Sequence, residues 1–109
     1  MTDQHIQIWT AETVLQTLND HSQTLYDLGV RKIGLFGSYA RGDQKPDSDL
    51  DFLVVLANHS FDMYFDVKEY LDKLFTCEID LVEETGLKPR IRPYVMQEVI
   101  YAERLQSIS

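Results

Sequence analysis

Asp49 and Asp51 stand two apart at the head of Leu50-Asp51-Phe52-Leu53-Val54-Val55-Leu56, a run rich in residues that favour strands. Side chains of a strand alternate between its faces, so this spacing points both carboxylates the same way. Two unit charges about 4 Å apart repel by roughly 4 kcal/mol at an effective dielectric of 20, a cost that a divalent cation offsets. Oxygen-only donors favour a hard ion, and magnesium takes one or two carboxylates, several waters and the oxygens of a bound phosphate. Upstream, the apolar Ile33-Gly34-Leu35-Phe36 ends in Gly37-Ser38, which opens a segment that reads as a short helix. Free backbone N–H groups at such a strand-to-helix turn attract anions, and a glycine lets phosphate approach closely.

Taken together, Gly37-Ser38-x-Ala40-Arg41-Gly42 and then Ser48-Asp49-x-Asp51 resemble the signature of the polymerase-β-like nucleotidyltransferases, in particular the small bacterial minimal nucleotidyltransferases (MNT). Four fixed positions of such common residue types match by chance about once in 10⁵ starts, or roughly once in a thousand chains of this size, so the match carries weight. The resemblance covers about residues 25 to 105. It implies that Gly37 and Ser38 hold the triphosphate of ATP, and that Asp49 and Asp51 hold two magnesium ions. A third carboxylate from a later strand completes the family's site, and Asp80, in Cys77-Glu78-Ile79-Asp80-Leu81-Val82, lies where the family places it. Asp80 would also stand beside the attacking oxygen and accept its proton. For Arg41 two readings stand side by side, a contact to phosphate and a salt bridge to Asp43 or Asp47.

The same resemblance implies a fold and a role. The fold is an α/β (α+β) polymerase-β-like core, a small mixed sheet flanked by helices with the metal site on adjacent strands. Small MNT proteins typically occur as antitoxins paired with HEPN-domain ribonuclease toxins, and transfer AMP from ATP to a tyrosine of the toxin. The chain would then be a magnesium-dependent protein adenylyltransferase with ATP as substrate and a HEPN toxin as partner. Two alternatives stay open: an antitoxin that neutralises by binding alone, and a nucleotidyltransferase acting on a small molecule such as an antibiotic. Three intact acids weigh against the first, because a binding-only protein has no need of them.

Composition sets the outer limits. A chain of 109 residues with 44% hydrophobic residues is expected to form one domain, residues 1 to 109, around one core. The net charge of −8 disfavours a long nucleic-acid acceptor. No apolar run approaches the roughly 20 residues of a membrane span, and Met1-Thr2-Asp3-Gln4-His5 is too polar for a signal sequence, so a cytoplasmic protein is expected. His5, His21 and His59 lack metal-ligand spacing, which disfavours zinc, and Cys77, the one cysteine, reads as a small core residue.

The elements that must position the site follow from hydrophobic pattern and breakers. Thr10 to Leu28 reads as one helix, capped by Thr10, entered past Trp9 and ended by Gly29. Val30 to Phe36 reads as a first strand, Ser38 to about Arg41 as a short helix, and Leu50 to Leu56 as a second strand buried on both faces. Asp62 to Phe75 reads as a long helix, Glu78 to Val82 as a third strand, and Pro93 to about Leu105 as a last helix with proline in its first turn. Lys88, Arg90 and Arg92 place three of ten basic residues in five positions, and the segment Lys88 to Leu105 is expected to serve a partner surface.

Overall fold

The computed structural model describes residues 8–106, so Met1 to His5 and the readings made on them lie outside the described residues. At the start of helix α1 (Ala11–Asp20) the Thr10 hydroxyl accepts the Thr13 N–H at 3.1 Å, and the Thr13 hydroxyl accepts the Thr10 N–H at 2.9 Å. This reciprocal cap satisfies two donors that the first helical turn leaves free. Trp9 packs edge-on against Phe75, with ring centroids 4.8 Å apart, and donates its indole N–H to the Phe75 carbonyl at 3.1 Å. It staples the chain entry to the core.

The helix does not run unbroken to Leu28. It stops at His21 (φ −109, ψ 20) and resumes as α2 (Ser22–Asp27). Asn19-Asp20-His21-Ser22 is a run of side chains that compete with helical hydrogen bonds. Asn19 uses the break: its Oδ1 accepts the Arg104 N–H at 3.0 Å and ties the helix to the far end of the chain.

Strands β1 (Val30–Phe36), β2 (Leu50–Leu56) and β3 (Ile79–Glu83) form where the apolar runs placed them, the third one residue later than its pattern suggested. Between them lie α3 (Ser38–Arg41) and α4 (Phe61–Phe75), the latter capped by Ser60, whose hydroxyl accepts the Met63 N–H at 3.0 Å. With a fourth strand, β4 (Ile100–Gln106), the sheet order is β3-β2-β1-β4, with β1 antiparallel to both neighbours and β2 parallel to β3. This is the small mixed sheet flanked by helices that the motif implied.

The C-terminal reading needs correction. Residues 93 to 105 are not one helix: α5 (Arg92–Glu98) ends in extended backbone at Val99, and β4 (Ile100–Gln106) continues as a strand beside β1. Val95, Met96, Val99 and Ile100 fit a helical stripe, but Val99-Ile100-Tyr101 is also a β-branched and aromatic run. The free edge of β1 decided the matter, since pairing satisfies both sets of backbone groups. Pro93 does stand in the first turn of α5.

Each face of the sheet has its own core. Ile33, Leu35, Phe52, Val54, Ile79 and Leu81 pack with Val14, Leu18, Val67, Leu71 and Phe75 of the helices. On the opposite face Leu53 and its neighbours Phe36 and Val82 are covered by Leu87, Val95, Met96 and Val99. Burial of β2 on both faces is therefore as read, and the apolar stripe of α5 is largely consumed in this second core. Cys77 is not a core residue: it is exposed in the turn between α4 and β3. Among the described residues no helix is long and apolar enough to cross a membrane.

Candidate active site

Alternation along the strands sets the site. Phe52 and Leu81 face the large helical core, so Asp51 and Asp80 point to the opposite face, where Leu53 and Val82 lie. The parallel register pairs Asp51 with Asp80, and the antiparallel register pairs Asp51 with Phe36, the residue before Gly37. One end of the sheet thus presents Asp80, Asp51 and the Gly37-Ser38 turn on three adjacent strands. Asp49 stands two residues before Asp51, ahead of the first strand residue, and is exposed while Asp51 is half-buried.

The electrostatics mark Asp51 as the centre. Burial first, and then the nearby carboxylates of Asp80, Asp49 and Glu98, push its carboxyl up to about 6, with Arg41 opposing. Negative charge is therefore concentrated and incompletely neutralised here, and all the donors are oxygens, which is the chemistry that fits a hard divalent cation. The side chains do not form a finished cage, however: among the described residues no group of three or more His, Cys, Asp or Glu is arranged to hold a metal ion. The two facts are compatible, because magnesium characteristically draws several of its ligands from water and substrate phosphate.

Gly37 ends β1 with φ 78 and ψ −156, a region that side-chain-bearing residues essentially do not enter. A Cβ there would also collide with Asp51 Oδ2. The turn therefore has two reasons to be glycine, its backbone and the carboxylate lying against it. Ser38 opens α3, and among the described residues its hydroxyl has no hydrogen-bond partner and does not cap the helix. Its Oγ and the free N–H groups of the first turn remain available to an anion.

Arg41 satisfies one of its two expectations and adds a partner. Its Nε donates to Asp43 Oδ2 at 3.2 Å, as the salt-bridge reading had it, and its Nη1 donates to Glu98 Oε1 at 3.0 Å. The other oxygen, Glu98 Oε2, accepts the Gly37 N–H at 2.8 Å. Both carboxylates, Glu98 foremost, hold the Arg41 guanidinium charge more firmly than usual. Sequence reading missed Glu98. Its two partners lie 61 and 57 positions away in the chain, and no local spacing signals such a contact.

Comparison with known proteins gives a consistent picture. A family model described as a nucleotidyltransferase domain matches residues 14–102. The protein adenylyltransferase MntA of Thermococcus cleftensis is 40% identical over 94 residues, which cover 84% of this chain and 95% of that protein. A solved minimal nucleotidyltransferase structure superposes with a TM-score of 0.74 at 31% identity, covering 87% of this chain and 98% of that one. The complex of a tri-AMPylated Shewanella oneidensis HEPN toxin with its MNT antitoxin contains a chain of the same fold, with a TM-score of 0.58 at 20% identity and coverage of 81% and 71%.

Proposed function

This chain belongs to the nucleotidyltransferase domain family, and from that premise we propose that it is an antitoxin-type protein adenylyltransferase that transfers AMP from ATP to a tyrosine hydroxyl of a HEPN-domain toxin. The observation that carries the proposal is the alignment of Asp51 with Asp80 across adjacent strands beside the Gly37-Ser38 turn. Similarity over nearly the whole length of a relative named for protein adenylylation supports the choice of acceptor class. The AMPylated toxin of a structural relative supports the choice of partner.

In the reaction the acceptor oxygen attacks the α-phosphorus, the bond from that phosphorus to the bridging oxygen breaks, and pyrophosphate leaves. Asp80 accepts the acceptor's proton, and Ser38 and Arg41 bind the β- and γ-phosphates; Asp49 and Asp51, with Asp80, are the residues that would hold the magnesium ions. Two bound magnesium ions would supply Lewis-acid stabilisation of the attacking and leaving oxygens. Gly37 contributes space, since its own N–H is engaged by Glu98. Exposed apolar side chains suit a protein acceptor: Phe61 and Phe65 stack on the surface of α4, and Ile91 and Tyr94 stand beside the exposed Lys88, Arg90 and Arg92.

The test is transfer of label from α-labelled ATP in magnesium, with and without a HEPN partner, together with the partner's ribonuclease activity. Label on the partner and loss of its nuclease activity are expected. Neutralisation with no label supports a binding-only antitoxin, and label on an added small molecule alone supports the remaining alternative. A narrower prediction concerns Ser38. Ser38→Ala is expected to weaken binding of a non-hydrolysable ATP analogue by about 0.5–1.5 kcal/mol, the net worth of one hydrogen bond. Calorimetric titration measures this directly, and unchanged affinity removes the hydroxyl from the phosphate site.

A further inference from the structure

We propose that Glu98 is a positioning residue of the nucleotide site, whose single carboxylate fastens the phosphate-binding turn at both ends and holds Arg41 in place beside Ser38. The proposal rests on the reading of Gly37-Ser38 as the triphosphate turn.

Helix α3 is four residues long, one turn. A single turn fixes several dihedrals for very few hydrogen bonds, so it does not persist by itself and needs tertiary anchors. The buried Tyr39 supplies one anchor, on the core side. Glu98 supplies the other: Oε2 takes the N–H of Gly37, which precedes the turn, and Oε1 takes the guanidinium of Arg41, which ends it. Ser38 and Arg41 are three residues apart and so share one face of the helix. Holding Arg41 therefore places a cation on the same face as the Ser38 hydroxyl, a two-point match to a phosphate.

Glu98 is itself well placed to act as an anchor. It is the last residue of α5, between Val95, which is buried in the second core, and Val99, which packs against that core before β4 pairs with β1. Its side chain is only 25% exposed, whereas that of Asp43, the other carboxylate on Arg41, is 64% exposed. A flexible arginine loses much rotamer freedom on meeting a ligand, and a partner that restrains it beforehand lowers that cost.

The sign of the effect separates positioning from plain electrostatics. By Coulomb's law, removing a carboxylate from the neighbourhood of a triphosphate should tighten nucleotide binding. Loss of a positioning group should weaken it instead. The experiment is calorimetric titration of the full chain with AMP-PNP and magnesium, applied to Glu98→Ala, Glu98→Gln, Arg41→Ala and the double variant Glu98→Ala/Arg41→Ala. Glu98→Ala is expected to weaken binding on the order of tenfold. Glu98→Gln keeps an acceptor for the Gly37 N–H but has no charge for Arg41, and should fall between wild type and Glu98→Ala. In the Arg41→Ala background Glu98→Ala should cost markedly less than in the wild type, because part of its effect passes through Arg41. Melting curves establish that each variant is folded at the titration temperature, and Glu98→Gln carries the test if Glu98→Ala is not. Binding that is unchanged or tighter in the Glu98 variants overturns the proposal while leaving the nucleotidyltransferase reading in place. A wild-type chain that binds no AMP-PNP overturns both.

Discussion

Replacing Asp49 and Asp51 together by asparagine is expected to abolish AMP transfer while leaving the metal-free chain at least as stable as before. The loss of rate should be on the order of 10³-fold or more, since on the proposed mechanism the variant would lose the charge that would hold the ions. The stability half of the prediction follows from Asp51, whose carboxyl is pushed up to about 6, mainly by burial and then by Asp80 and Asp49. A carboxyl raised in the folded state holds its proton more tightly there than in the unfolded chain. Its contribution to stability is therefore full below the unfolded value near 4 and is lost as pH rises through about 6. Asparagine cannot ionise and escapes that loss. Thermal melts in chelator should show the double variant equal to or above wild type at pH 7.5, with the gap closing towards pH 4.5. Addition of magnesium should raise the wild-type midpoint and leave that of the variant unmoved. Transfer by the variant at a rate near wild type would remove these residues from the metal site, and a fall in its metal-free midpoint at pH 7.5 would contradict the charge argument.

Gly37→Ala is expected to damage transfer as well, although it removes no charged group. Gly37 has φ 78 and ψ −156, where alanine is strained by about 1–3 kcal/mol. Its new Cβ would also meet Asp51 Oδ2, so either the turn or the carboxylate must move. Displacement of reacting groups by about 1 Å can cost on the order of 10²-fold in rate, and that loss is the expected outcome in the label-transfer assay. Gly42→Ala is the matched control. Gly42 also has positive φ (84, with ψ 13), but nothing lies within 4 Å of its would-be Cβ. It should lose about 1 kcal/mol of stability by denaturant titration and keep most of its activity. Equal activity loss in the two variants would show that backbone strain, rather than the contact with Asp51, is what Gly37 avoids.

Much of the site and of the frame that carries it is legible in one dimension. Asp49, Asp51, Gly37 and Ser38 lie within fifteen positions of one another, and their relation depends on local rules, strand alternation and a strand-to-helix turn. For the same reason the spans of β1, α3 and β2 agree with the runs that encode them. A near-continuous apolar β2 announces two covered faces whatever covers them.

Three things were decided only by the tertiary structure, and in each the deciding partner is remote in sequence. The segment after Glu98 carries a pattern that serves helix or strand, and the open edge of β1 selected the strand because unpaired backbone groups there are costly. The resemblance marks Asp80 as the third acid, but its local pattern is that of any acid in a short strand, and only the parallel register sets it against Asp51. Glu98 reads as an ordinary helical glutamate until the chain folds its carboxylate onto Gly37 and Arg41. Local sequence encodes which backbone conformations and faces are favoured within a few residues, whereas pairing across the sheet depends on which free edges and unpaired charges remain once the local elements have formed.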